Sequence, residues 1–179
     1  MSQPSIQLTP DFAIRRLRIV LVAPRIAANV GNIARTATSL GAELHMVGPF
    51  GFFPQKEKDL KRTSVGYFDE LQPIYYRDFE DFWQRFERSE KSEFYFATKR
   101  GETAYSDYEF GRDICLIFGN EEEGVPQNFW EFKGLPKIQS CRIPTVTVRC
   151  LNLATSVGII GFEVFRQWGK QGSPDLKGL

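Results

Sequence analysis

The sequence predicts an α/β fold in one domain, and three observations carry that reading. Apolar runs rich in β-branched or aromatic residues, at 19–22, 93–97 and 114–118, each give way to glycine, proline or polar residues. That is the pattern of buried strands opening into loops. Stretches with apolar residues at helical spacing flank these runs: Ile33, Ala34, Ala37 and Leu40; Phe79, Phe82, Trp83 and Phe86; Leu153, Val157, Ile160, Val164 and Trp168. Each stretch is long enough to bury one face of a helix. Finally, 179 residues with 42% apolar and 14% aromatic content suffice for one sizeable core.

In chain order, residues 1–17 read as an extension before the core. Arg15, Arg16 and Arg18 lie at its end, and this basic triplet fits either a solvated terminus or contacts to phosphates. The run 19–22 is the first strand; a helix from Asn29 or Gly31 to Leu40 follows, stopped by Gly41, and 43–47 is the second strand. Together they make a βαβ unit. His45, inside that strand, reads as structural. Taken alone, Asn29 reads as a helix N-cap and Arg35 as an exposed or ion-paired side chain.

The aromatic, turn-rich loop 48–54 precedes a basic helix with Lys56, Lys58, Lys61 and Arg62. This pairing fits the stacking of bases and holding of phosphates, and equally a core-capping loop with a solvated helix. Further on, 71–76 reads as a strand, 79–86 as a helix and 93–97 as a strand ending in the basic turn 98–101. A short helix over 126–132, an extended segment over 138–145 and a long helix over 152–169 complete the chain. Gly158 and Gly161 are costly inside that helix, which predicts close packing against another helix.

Composition excludes several classes. With 23 Lys and Arg against 22 Asp and Glu, overall charge does not point to nucleic acid, so any basic surface must be local. Three cysteines with no C-x-x-C pair fit reduced thiols in a cytoplasmic protein and argue against a disulfide framework or zinc site. A single histidine argues against a His-based metal centre or a Ser-His-Asp triad. No long apolar span or signal-peptide pattern is present, so no membrane association is expected.

The stretch with most chemical content is 114–124, Ile-Cys-Leu-Ile-Phe-Gly-Asn-Glu-Glu-Glu-Gly. An apolar run ending in Gly119 and Gly124 suits a strand whose carboxyl end holds a ligand, the position at which open α/β sheets bind them. By itself the segment also fits an ordinary strand-turn-helix connection. Further segments narrow the choice. Residues 19–35 (IVLVAPRIAANVGNIAR), 44–52 (LHMVGPFGF), 116–126 (LIFGNEEEGVP), 142–144 (RIP) and 149–157 (RCLNLATSV) occur in that order. This series resembles the SPOUT-class RNA 2′-O-methyltransferases, and within them the TrmL-like group acting on the tRNA wobble ribose.

The resemblance spans about residues 18–168 and implies what periodicity cannot. It implies a mostly parallel sheet flanked by helices, closed by a C-terminal deep trefoil knot within a domain at 18–172, with 173–179 as a tail. It also implies S-adenosylmethionine as cofactor, tRNA as substrate, no metal, and a homodimer with the active site near the subunit interface. Residue by residue, it implies cofactor contacts at the backbone of Phe96, Gly119, Ile143, Cys150 and Leu151. Arg35 falls on the motif arginine at the 2′-hydroxyl, with Asn29 and Glu121 shaping the site and Asn152 bonding near cofactor or ribose. Lys61, Arg62, Tyr67 and Lys99 fall on substrate-contact positions.

The chain departs from that group at Cys150, where serine is usual, at Gly66 before Tyr67, where aspartate is usual, and at Glu123, where arginine is common. Related enzymes acting on another tRNA position or on ribosomal RNA are the neighbouring alternative. A knotted RNA-binding module without catalysis is another. A generic nucleotide-binding α/β protein fits less well, because the glycine fingerprint of a dinucleotide fold and the phosphate loop are both absent from the sequence.

Overall fold

The computed structural model describes residues 15–52, 58–131, 133, 135–148 and 150–170. Seven strands form one sheet: β1 (Arg16–Val22), β2 (Glu43–Val47), β3 (Ile74–Tyr76), β4 (Glu93–Ala97), β5 (Thr103–Ala104), β6 (Asp113–Phe118) and β7 (Ile138–Arg142). Their order is β3-β2-β1-β6-β4-β7-β5, and every pairing is parallel. The helices are α1 (Ala27–Leu40), α2 (Lys58–Ser64), α3 (Tyr67–Leu71), α4 (Phe79–Arg85), α5 (Gln127–Trp130) and α6 (Leu153–Lys170). No helix among the described residues is long and apolar enough to cross a membrane.

Strand alternation divides the interior into two cores. Ile19 and Leu21 of β1, with Ile114, Leu116 and Phe118 of β6, face α1, α2, α3 and α6. Val20, Val22, Cys115 and Ile117 face the aromatic layer of α4 and α5, where Phe79, Phe82, Trp83 and Phe129 are buried. A strand covered on both faces must be apolar at every position, which is why the runs at 19–22 and 114–118 lack alternation. Burial also makes the Cys115 thiol unreactive, pushing its pKa up to about 12.

Polar groups enter the second core at the amino ends of the strands. Arg18 is fully buried and ion-pairs with Asp113. It also donates to the Glu87 carbonyl at 2.5 Å and lies 4.8 Å over the Phe86 ring. Burial lowers its pKa, yet a guanidinium stays charged and needs these partners. Beside it, His45 meets Tyr76 Oη through Nδ1 at 2.9 Å and Glu43 through Nε2 at 3.3 Å. Arg16 donates to the same carboxylate at 2.6 Å. β1 begins at Arg16, so Arg16 and Arg18 belong to the sheet: Arg18 is buried and not solvated, and Arg16 is exposed but ion-paired with Glu43. His45 is structural, as its place in the strand implies.

Other boundaries moved for local reasons. The strand expected over 71–76 is β3 alone; Phe68 is buried on α3, which starts after Gly66 at φ 87° and occupies 67–71. α1 starts at Ala27, ahead of Asn29, and its N-cap position is Ile26, without a side-chain cap. In α6, a Cβ on Gly161 would lie 2.7 Å from Leu40 Cδ1 of α1. That packing is within the chain and accounts for this glycine; nothing lies within 4 Å of a Cβ at Gly158. Lys56 and most of residues 1–17 lie outside the described residues.

The hydrogen bond from His45, together with Arg16, holds the Glu43 carboxyl at a pKa of about 2 against an ordinary 4.5. A depressed carboxyl contributes stability that is fully present above its unfolded pKa and lost as pH falls through the folded one. Wild type should therefore exceed Glu43→Gln in urea midpoint at neutral pH. The gap should close between pH 4.5 and about 2, as followed by tryptophan fluorescence; a gap independent of pH would contradict the assignment.

Candidate active site

The loop after β6 is folded on itself. Asn120 and Gly124 exchange backbone hydrogen bonds at 2.8 and 3.2 Å, and Asn120 Oδ1 accepts from the N–H groups of Glu122 and Glu123 at 3.0 and 2.7 Å. Gly124 sits at φ 79°, a conformation that side chains disfavour. A Cβ on Gly119 would lie 2.3 Å from the Gly124 carbonyl carbon. The two glycines thus permit the closure that holds Glu121 in place.

Glu121 connects three distant segments. Its carboxylate accepts from Arg25 N at 2.9 Å, Ile26 N at 3.3 Å and Asn29 Nδ2 at 2.8 Å. It satisfies N–H groups at the start of α1, where no local side chain caps the helix and a negative charge is favoured. Asn29 passes the connection on, because its Oδ1 accepts from Asn152 Nδ2 at 2.9 Å. Asn152 Oδ1 then accepts from Ala154 N at 2.9 Å and Thr155 N at 3.3 Å, capping α6. Asn29 is therefore not an N-cap; it is a buried relay in the first turn of α1, and Asn152 is the cap.

These residues border a cleft of about 1210 Å³ over the carboxyl ends of β4, β6 and β7, room for a nucleoside-sized ligand. Asn29, Asn152 and Ser156 line it from the α1 and α6 layer, and Val125 and Trp130 from the layer of α4 and α5. The cleft therefore crosses the edge of the sheet. Phe96, Gly119, Ile143, Cys150 and Leu151 all line it, as does Lys99. Cys141 also borders the cleft, but burial raises its thiol pKa to about 12, leaving it inert at neutral pH. Arg142 braces the wall: its Nη1 donates to the Gly101 carbonyl at 3.1 Å, and it also bonds the Glu102 carbonyl.

The remaining expected residues lie elsewhere. Arg35 is exposed on α1 and does not line the cleft of its own chain. Lys61, Arg62 and Tyr67 are exposed on α2 and α3, in the layer that packs on α1. Arg62 pairs with Asp59 at 3.3 Å, and Lys61 borders a smaller cavity of about 330 Å³ with Tyr75. The sequence reading missed Trp130, Val125 and Ser156 as cleft residues. Only the Phe-Trp pair after Pro126 carried a signal, and it reads equally as core.

The walls suit a ligand with a flat apolar part and a polar, positively charged part. Phe96, Trp130, Ile143 and Leu151 offer apolar surface, and Glu122 and Glu123 offer carboxylates. S-adenosylmethionine has these two characters. Among the described residues, no group of three or more His, Cys, Asp or Glu side chains lies together as a metal site would need.

Removing the relay should loosen the site before it unfolds the chain. Asn29→Ala leaves Asn152 Nδ2 and one Glu121 oxygen short of a partner, a cost of about 1–3 kcal/mol. Thermal denaturation should show Tm lowered by about 2–10 °C. Asn29→Asp, which sets a second carboxylate against Glu121, should lower it further at pH 7 than at pH 4. An unchanged Tm in both variants would contradict the relay.

Comparison with known proteins agrees with this geometry. The SpoU rRNA Methylase family model matches residues 16–162. An Aeromonas hydrophila protein named tRNA (cytidine(34)-2′-O)-methyltransferase is 35% identical over 158 residues, 88% of this chain and 97% of that protein. One of the same name from Burkholderia cenocepacia is 33% identical over 155 residues, 86% of this chain and 97% of its own. A solved structure described as giving insight into 2-OH methylation of C/U34 on tRNA superposes with TM-score 0.77 at 31% identity, covering 87% of this chain and 98% of that one. An AdoMet-bound rRNA methyltransferase from Sinorhizobium meliloti superposes with TM-score 0.68 at 26% identity, over 89% of this chain and 61% of that one. With its sheet order, its loop after β6 and a match over most of its length, this chain belongs to the SpoU methylase family.

Proposed function

We propose that this protein transfers a methyl group from S-adenosylmethionine to a ribose 2′-hydroxyl of tRNA, at the wobble nucleotide of the anticodon. The observation that carries this reading is similarity along nearly the whole length of relatives named for cytidine 34. The cleft supports it, since its lining residues include all five expected to meet the cofactor. We assign the knot on the family's account: residues 143–145, after β7, and 150–152, before α6, both line the cleft, and α6 packs on α1.

When bound, the cofactor supplies a methyl on a positively charged sulfur that is already a good leaving group. The protein's task is to align that methyl with a 2′-oxygen and ease the hydroxyl proton away. Asn29, Glu121 and Asn152 form a fixed polar border to the cleft and act as positioning residues. Glu121 is fully engaged with backbone and amide donors, so its role is to hold α1 rather than to act as an acid. The Arg35 guanidinium, a planar fork of N–H donors, is suited to orient the ribose and stabilise charge on its oxygen, with a substrate phosphate accepting the proton.

Because Arg35 is outside the cleft of its own chain, it acts in a homodimer in which a second copy brings α1 to the site. The exposed Phe162 of α6, at 49%, supports a face that a second copy covers. Lys61, Arg62, Tyr67 and Lys99 are then available to tRNA, and the cysteines fit a cytoplasmic setting.

Labelled methyl from S-adenosylmethionine should appear in total tRNA from a strain lacking the protein, and nuclease mapping should place it at nucleotide 34. Label in ribosomal RNA alone would overturn the substrate. Arg35→Ala should bind S-adenosylhomocysteine within about twofold of wild type yet lose at least about 100-fold in kcat. A variant that keeps its rate would remove Arg35 from the reaction.

A further inference from the structure

Trp130 is the tryptophan that the described fold leaves open: it is 43% exposed, whereas Trp83 and Trp168 are 7% and 2% exposed. Its exposure is not that of a loose surface ring. α5 has only four residues, and Phe129 anchors it by full burial in the second core. The next residue therefore turns outward at the cleft. The Trp130 ring meets Phe129 edge-on at 4.8 Å and 88°, and Phe96 at 5.0 Å and 67°. Two edge contacts hold the indole in place while it lines the cleft.

A rigid, half-open indole beside Phe96 is built for a flat partner. We propose that Trp130 is a specificity-determining wall of the cofactor site that stacks on the adenine ring. This inference rests on the cofactor reading above. Position favours adenine over an RNA base. Trp130 belongs to the layer of α4 and α5, across the sheet edge from Asn29 and Asn152. Of the residues suited to RNA, Lys61, Arg62 and Tyr67 lie in the opposite layer on α2 and α3, Arg35 comes from the second copy, and Lys99 alone shares the cleft with Trp130. A ligand whose reacting end lies at the Asn29 border thus extends its other end toward Trp130. The same placement separates the indole from the sulfonium, so its contribution is stacking on a neutral ring and not attraction to a cation.

The test is a fluorescence titration with S-adenosylhomocysteine, which keeps adenine and lacks the sulfonium, run beside calorimetry on the same samples. In wild type the ligand should quench the red-shifted emission of the one open tryptophan, and Trp130→Phe should abolish the quench while still binding. Trp130→Ala should bind about tenfold more weakly. Three results overturn the assignment while leaving the cofactor reading in place. These are calorimetric binding without a quench in wild type, equal affinity in Trp130→Ala, and a quench by S-adenosylmethionine or tRNA but not by S-adenosylhomocysteine. A wild type that binds neither cofactor form overturns the cofactor reading and this inference with it.

Discussion

A single carboxylate sets the geometry on which the site depends. Glu121 projects from a loop at the end of a central strand and satisfies two backbone N–H groups and one amide at the start of α1. Through Asn29 it reaches Asn152 and the cap of α6. Charge-assisted hydrogen bonds of this kind are directional, so three segments of the chain, the outermost being Asn29 and Asn152 at 123 residues apart, share one origin. The tight closure of Gly119 on Gly124 is what points the carboxylate at α1. The glycines thus serve the geometry of a side chain as much as access for a ligand.

The sheet separates its polar work by end. At the amino ends, Arg18, Asp113 and Ser92 join the beginnings of β1, β6 and β4 through ion pairing and hydrogen bonds. At the carboxyl ends, β6 and β4 run out beneath the cleft, with β7 beside them. Between them the two cores are apolar on both faces, so neither polar cluster disturbs the other. A fully buried arginine is costly unless its charge is met, and the clamp it forms leaves the opposite ends of the strands to shape a binding site.

Periodicity made most of the architecture legible. The strands at 19–22, 43–47, 93–97 and 114–118 and the helices α1, α4 and α6 follow from apolar spacing that the two-sided burial demands. Local chemistry misled where a distant partner decided the outcome. Asn29 carries the propensity of an N-cap, and only the presence of Glu121, far along the chain, makes it a relay. Arg16 and Arg18 look like a basic arm because nothing nearby announces Glu43 or Asp113. The strand read over 71–76 begins only at Ile74, because Gly66 in a left-handed conformation starts a helix over 67–71. Trp130 was indistinguishable from core aromatics until Phe129 was seen to take the buried position and leave it the open one.

The ordered motif series carried the site further than any single segment. It brought Phe96, Gly119, Ile143, Cys150 and Leu151 to one cleft, although they come from the ends of β4, β6 and β7 and from the segment before α6. It could not tell which side of α1 would face that cleft, and Arg35 lies outside it in one chain. A helix face is a matter of packing, and α1 presents Asn29 inward and Arg35 outward because its apolar stripe is buried against the sheet.

Glu121 and Asn152 act on the cleft through a shared relay. A double-mutant cycle on S-adenosylhomocysteine affinity, using Glu121→Ala, Asn152→Ala and the pair in the full chain, measures this directly by calorimetry. The two losses should not add, with a coupling of about 1 kcal/mol or more, because removing either end already frees Asn29. Losses that add within about 0.5 kcal/mol would show two independent contacts and contradict it.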